Sequence, residues 1–147
     1  MSENRRHANT FTGPGTRSAV PDVVILAVEW RPRALLRAQL LEEGYEVVAT
    51  DTWPDARPHL RPGAKPRLVI VDLEGLPGPR SVLDDLALLM KPGRVLVVSA
   101  LATVSQDEVR RRGFHLLMRP TTIEAIVAQV RRIIETATSV GNGEVRR

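Results

Sequence analysis

Cysteine is absent from the sequence, which excludes a disulfide framework, a thiolate zinc site and a cysteine nucleophile together. Long apolar runs are absent too. The longest, Val23 to Val28, is six residues, against the roughly 18 needed to cross a bilayer. The opening MSENRRHANT has no apolar stretch of the secretory type. The three histidines, His7, His59 and His115, are scattered and form no metal-ligand spacing. Hydrolase, oxidoreductase and nuclease constellations are missing, with no activated nucleophile pair and no ligand cluster for catalytic zinc. What is there is 147 residues, 43% apolar, the length of one domain with enough material to bury a core. The expectation is a soluble, cytoplasmic domain with no membrane contact.

Lysine is nearly missing, at 2 residues against 19 arginines, and the net charge is +4. The location of that charge decides what it means. Between residues 22 and 136 there are 16 basic and 15 acidic residues, so the excess lies on the two ends. A nucleic-acid footprint calls for basic residues clustered on one face of the folded part. Nucleic acid is not an expected partner.

Residues 1–21 are polar, contain Gly13-Pro14-Gly15 and show no periodicity, which predicts a disordered arm. Residues 137–147, with Gly141-Asn142-Gly143, read as a flexible tail. The segment between, 22–136, alternates short apolar runs with helical patterns. Val23–Val28, Leu68–Val71 and Val95–Val98 are compact and unalternating, as strands buried on both faces are. Val47–Ala49 and Leu116–Met118 are weaker strand candidates.

Helices are predicted over Arg33–Leu41, stopping at Gly44, over a proline-interrupted Thr52–Leu60, and over Ser81–Met90. Two more start at the capping boxes Ser105-x-x-Glu108 and Thr121-x-x-Glu124, and Ser81-x-x-Asp84 approximates a third box. Strand–helix alternation repeated five times calls for an α/β fold, a parallel sheet covered by helices on both faces. Right-handed crossovers put every strand's carboxyl end on one rim, where such sheets place their chemistry.

Four strand ends carry a polar residue directly after the apolar run: Glu29, Asp72, Ser99 and Arg119-Pro120. A carboxylate, a hydroxyl and a guanidinium converging on one rim can bind an anion or hold a charged intermediate. Taken singly, each also fits a residue that merely caps the loop after its strand.

In this order and spacing, the segments ILAVEWRP (25–32), LEEGYEVV (41–48), PRLVIVDLEGLPG (66–78), VLVVSA (95–100) and GFHLLMRPTTIEAI (113–126) resemble the receiver domains of bacterial response regulators. The resemblance covers about Asp22 to Thr136. It implies a flavodoxin-like (βα)5 architecture, a doubly wound five-stranded parallel sheet of order 2-1-3-4-5. It also implies that Asp72 matches the phospho-accepting aspartate, Ser99 the switch hydroxyl, Glu29 the first of an acidic pair, and Pro120 a proline preceded by a cis peptide. In that family the acidic pair, the aspartate and a backbone carbonyl hold Mg2+.

The chain departs from that pattern at four places. Trp30 stands at the second acidic position, leaving Glu29 and Asp72 as the carboxylates of a weak Mg2+ site. Arg119 replaces a lysine, a swap that is not neutral, and Leu116 replaces the switch aromatic. One extra residue separates Asp72 from Pro77. An ion pair between Arg119 and Asp72 or Glu29 is the expected feature of the pocket.

The leading expectation is a stand-alone, divergent receiver (a pseudo-receiver) in two-component phosphorelay signalling. It is not an enzyme beyond self-phosphorylation and dephosphorylation at Asp72, which is lost or slow. It acts on a protein partner through a face carrying Arg110, Arg111, Arg112, Leu116 and Arg131. One alternative is a working phosphoreceiver that takes phosphate from a histidine kinase on Asp72; another is a small-molecule-binding flavodoxin-like domain. No Gly-rich phosphate loop follows the first strand, where Arg31-Pro32 stands instead. A homodimer is left open.

Overall fold

A computed structural model describes residues 20–63, 65–100 and 104–145, with side chains through residue 138. The arm expected over residues 1–21 lies almost wholly outside the described residues. Five strands, β1 (Val23–Leu26), β2 (Val47–Thr50), β3 (Leu68–Asp72), β4 (Val95–Ser99) and β5 (His115–Met118), form one parallel sheet. Its order is β2-β1-β3-β4-β5, so the chain reverses direction across the sheet between β1 and β3. The three central strands are buried at every position and the two edges only half-buried. That difference explains why the central three read as unbroken Val/Leu/Ile runs and the edges as weak ones.

Five helices connect and follow the strands: α1 (Trp30–Glu42), α2 (Trp53–Ala56, continued as a 3-10 turn over Arg57–Leu60), α3 (Pro79–Leu89), α4 (Gln106–Arg111) and α5 (Ile123–Val145). A second 3-10 turn, Pro92–Arg94, leads into β4. The helices divide between the two faces of the sheet. Leu36 and Leu40 of α1 pack with Ile126, Val127, Val130, Ile133 and Ile134 of α5 over one face. Ala56, Leu83, Leu86 and Val109, from α2, α3 and α4, cover the other. The sheet is therefore doubly wound, as the alternation requires.

Helix starts differ from expectation where local chemistry outweighs the capping pattern. α1 begins three residues early, because a proline in the first turn (Pro32) does not stop a helix. α3 begins at Pro79 rather than Ser81, since proline suits the first helical position, where its missing N–H has no partner to lose. Ser105 caps α4 as expected, its hydroxyl accepting from the Glu108 N–H at 3.2 Å. At α5 the cap is Thr122 instead of Thr121, accepting from the Ala125 N–H at 3.0 Å. α5 also continues past 136 through Gly141 and Gly143 to Val145. A helical glycine costs about 1 kcal/mol against alanine, whereas only proline breaks the ladder outright. No described helix is long and apolar enough to cross a membrane.

Candidate functional site

The carboxyl rim is assembled from three adjacent strand ends. Asp72 closes β3 and is buried. Ser99 closes β4, one residue past the Asp72–Val98 register pair, and is buried as well. Beyond β5, the Arg119 N–H donates to the Ser99 carbonyl at 2.7 Å, and the Arg119-Pro120 peptide is cis, as the resemblance implied. These backbone bonds aim the Arg119 side chain across β4 towards β3. Its Nη2 donates to Asp72 Oδ2 and forms the expected ion pair.

The rest of Asp72 is occupied too, with Oδ1 accepting from the Glu74 N–H at 3.0 Å. The Ser99 hydroxyl donates to the Ala100 carbonyl at 3.2 Å, away from Asp72. The Arg119 Nε is buried without a hydrogen-bond partner among the described residues. The pair is thus held by one guanidinium nitrogen rather than the two-pronged fork that makes such pairs strongest.

Glu29 takes a different place. It stands at the start of α1, exposed, with no side-chain hydrogen bond to the helix end and no ion pair among the described residues. The four residues share a rim, and the structure joins Asp72, Ser99 and Arg119 there while leaving Glu29 at its margin. Trp30, next to it, is 68% exposed.

Arg33, a residue the strand-end reading passed over, is part of this rim. Its guanidinium donates to the carbonyls of Ala27 at 2.8 Å and Val28 at 3.1 Å, immediately after β1. The signal for it is an arginine one turn into the helix that follows a buried strand. From there a long cation can fold back on the strand's free carbonyls, and Arg31-Pro32 drew attention away from it.

A divalent metal needs several oxygens concentrated in one small, negatively charged space. The donor set here does not supply it. Among the described residues no three acidic or histidine side chains come together. Asp72 already holds a guanidinium, an indole occupies position 30, and Arg33 places a second cation on the carbonyls after β1. The residues present do not fit Mg2+.

The partner face expected around α4, β5 and α5 is partly spent on internal contacts. Arg112 pairs with Asp84 of α3 at 2.7 Å and donates to the Glu108 carbonyl at 2.6 Å. Arg131 reaches Glu43 at the end of α1, at 3.2 Å. A long arginine near a carboxylate on a neighbouring helix pairs with it, and both positions make such a pair within the chain. Arg110 and Arg111 remain exposed there, and Leu116 packs half-buried against the core beneath α3 and α4.

Arg80 of α3 grips Glu108 of α4 with both prongs, at 2.6 and 3.1 Å. The hydrogen bond from Arg80, with further help from Ser105, holds the Glu108 carboxyl down at about 2. A depressed carboxyl stabilises the fold fully above its unfolded value of 4.5 and loses that contribution as pH falls through about 2. Side-chain NMR titration is expected to find Glu108 near 2 in the native chain and to find it displaced upwards, towards 4.5, in Arg80→Ala. An unchanged titration would mean that Arg80 is not its cause.

No protein-family model matches the chain, nor does any curated protein. Solved structures do match. NtrX from Brucella abortus in complex with ADP superposes with a TM-score of 0.70 at 22% identity, over 87% of this chain and 30% of that one. The isolated receiver domain of NtrX gives a TM-score of 0.66 at 23% identity, covering 78% of this chain and 99% of the domain. The non-phosphorylated HemR receiver domain from Leptospira biflexa gives 0.65 at 22% identity, over 78% and 94%. The fold is that of a response-regulator receiver domain. The chain spans 30% of the NtrX chain solved with ADP and nearly all of the isolated receiver domains. Within that fold, Asp72 stands where the chain leaves β3, the strand at the reversal point of the sheet, where open α/β sheets bind their ligands.

Proposed function

We propose that the chain is a divergent receiver domain of a two-component signalling system, one that works by contact with a protein partner while phosphoryl transfer to Asp72 is weak or lost. The observation that carries this reading is the Asp72–Arg119 ion pair. A phospho-accepting carboxylate has to be free to attack, beside a cation that can neutralise the transferring group without blocking the nucleophile. Here the attacking oxygen is engaged by a guanidinium that cannot give up its proton. The second acidic position is an indole and Leu116 has no ring to swing, so one metal-binding carboxylate and the aromatic relay are both replaced. The exposed Arg110 and Arg111 at the end of α4 suit an acidic protein surface. Localisation in the cytoplasm and a histidine kinase as one partner belong to the same proposal.

The test uses the two tryptophans as reporters. Titration of the native chain with Mg2+, followed by beryllium fluoride as phosphoryl mimic, is expected to leave the fluorescence unchanged. Trp30→Asp combined with Arg119→Lys restores the missing donors and is expected to give a saturable response, read through Trp53 and by calorimetry, that a further Asp72→Ala removes. Saturable, Asp72-dependent binding in the native chain overturns the proposal in favour of a working phosphoreceiver.

A further inference from the structure

α1 lacks the one-sided pattern of an ordinary surface helix. Its inner stripe, Leu36 and Leu40, is buried against the sheet. Its outer surface carries apolar residues as well, beside the exposed Arg31 and Arg37: Trp30 is 68% exposed, Leu35 52% and Leu41 41%, with exposed Ala34 and Ala38 between them. At 3.6 residues per turn, Trp30, Ala34, Ala38 and Leu41 fall in one line along the side away from the core. Single exposed leucines, such as Leu88 on α3, are ordinary. A continuous stripe bordered by charge marks an interaction surface.

The charges along that stripe indicate what covers it. Arg31 lies in the first turn and Glu42 at the last position, each at the end of the helix where the dipole disfavours it. Neither forms an ion pair among the described residues. Laid antiparallel on a copy of itself, the helix repairs both faults. About a two-fold axis near residue 36, Ala34 meets Ala38, Trp30 lies over the Leu41 end, and Arg31 of one copy faces Glu42 of the other. The small residues at the crossing let the axes approach closely, and a two-fold contact is self-complementary by construction.

We infer that α1 is a homodimerisation surface, its occupant a second copy of this chain packed antiparallel through Trp30, Ala34, Ala38 and Leu41. A helix of 13 residues is only about 20 Å long, so the contact is small and the dimer weak and reversible. The inference does not rest on the state of Asp72, which is buried at the sheet rim.

Sedimentation of the full chain over about three decades of concentration, to about 1 mM, is expected to show a monomer–dimer equilibrium. Tryptophan emission should shift to the blue with the dimer fraction, and Trp30→Phe should remove the shift. Arg31→Glu and Glu42→Arg are each expected to weaken association by about tenfold or more, and the two combined to restore it. Ala38→Arg is expected to abolish it; all these positions are exposed, and circular dichroism checks that the fold survives. A monomer at every concentration overturns the inference. A dimer indifferent to the α1 charges overturns it as well, as does burial of Trp30 only upon addition of an unrelated protein.

Discussion

Arg119→Met is expected to lower the stability of the fold by about 2–3 kcal/mol, short of the 3–5 kcal/mol for a fully buried pair because the guanidinium is partly exposed. The substitution removes the cation and leaves the buried Asp72 carboxylate with one backbone N–H as its remaining partner. Asp72→Ala is expected to cost a similar amount from the other side, since it strands a guanidinium whose Nε already lacks a partner. The double variant should recover most of the loss and lie within about 1 kcal/mol of the native chain, because neither charge is then left uncompensated. Chemical denaturation of the four proteins at constant m gives the cycle directly. Additive losses, with no recovery in the double variant, would show that the two groups do not stabilise one another.

Gly113→Ala is expected to be comparably severe for a different reason. The residue turns the chain from α4 into β5 at φ +83°, a conformation that costs a residue with a Cβ about 1–2 kcal/mol. The added Cβ would also stand 2.8 Å from Pro92 Cβ, in a ring with no rotamer to escape by. Overpacking of this kind costs about 1–3 kcal/mol, so the total comes to about 2–5 kcal/mol. Gly44→Ala is the matched control: its φ is +98°, but nothing lies within 4 Å, and only the backbone cost applies. Thermal or denaturant unfolding of the two variants should separate them clearly. Equal losses would mean that Pro92 yields and that the contact carries no cost.

The parts of the molecule that could be read from its sequence are those governed by burial. β1, β3 and β4 sit in the middle of the sheet, and their Val/Ile/Leu runs announce it. Strand order came from likeness to a family, because apolar runs alone do not say which strand neighbours which. The ion pair was legible because a carboxylate and a guanidinium at strand ends on one rim have few other partners. Glu29 was not: a residue at the mouth of a helix can turn inwards or outwards, and that choice depends on packing. Arg33 escaped notice because its role is to fold back on backbone carbonyls, which leave no mark in a side-chain pattern. The pairs of Arg112 with Asp84 and of Arg131 with Glu43 leave no mark in the sequence either, because the partners lie 28 and 88 residues apart.

Asp72 belongs to the middle strand of the sheet and Arg119 directly follows the strand at its border, so their bond works as a stitch between the centre and the edge of one layer. Border strands peel first when a protein opens short of complete unfolding. Lifting of β5 would part the stitch and expose the carboxylate while the centre of the layer stays shut, and amide exchange along β5 is expected to keep the same clock as that exposure.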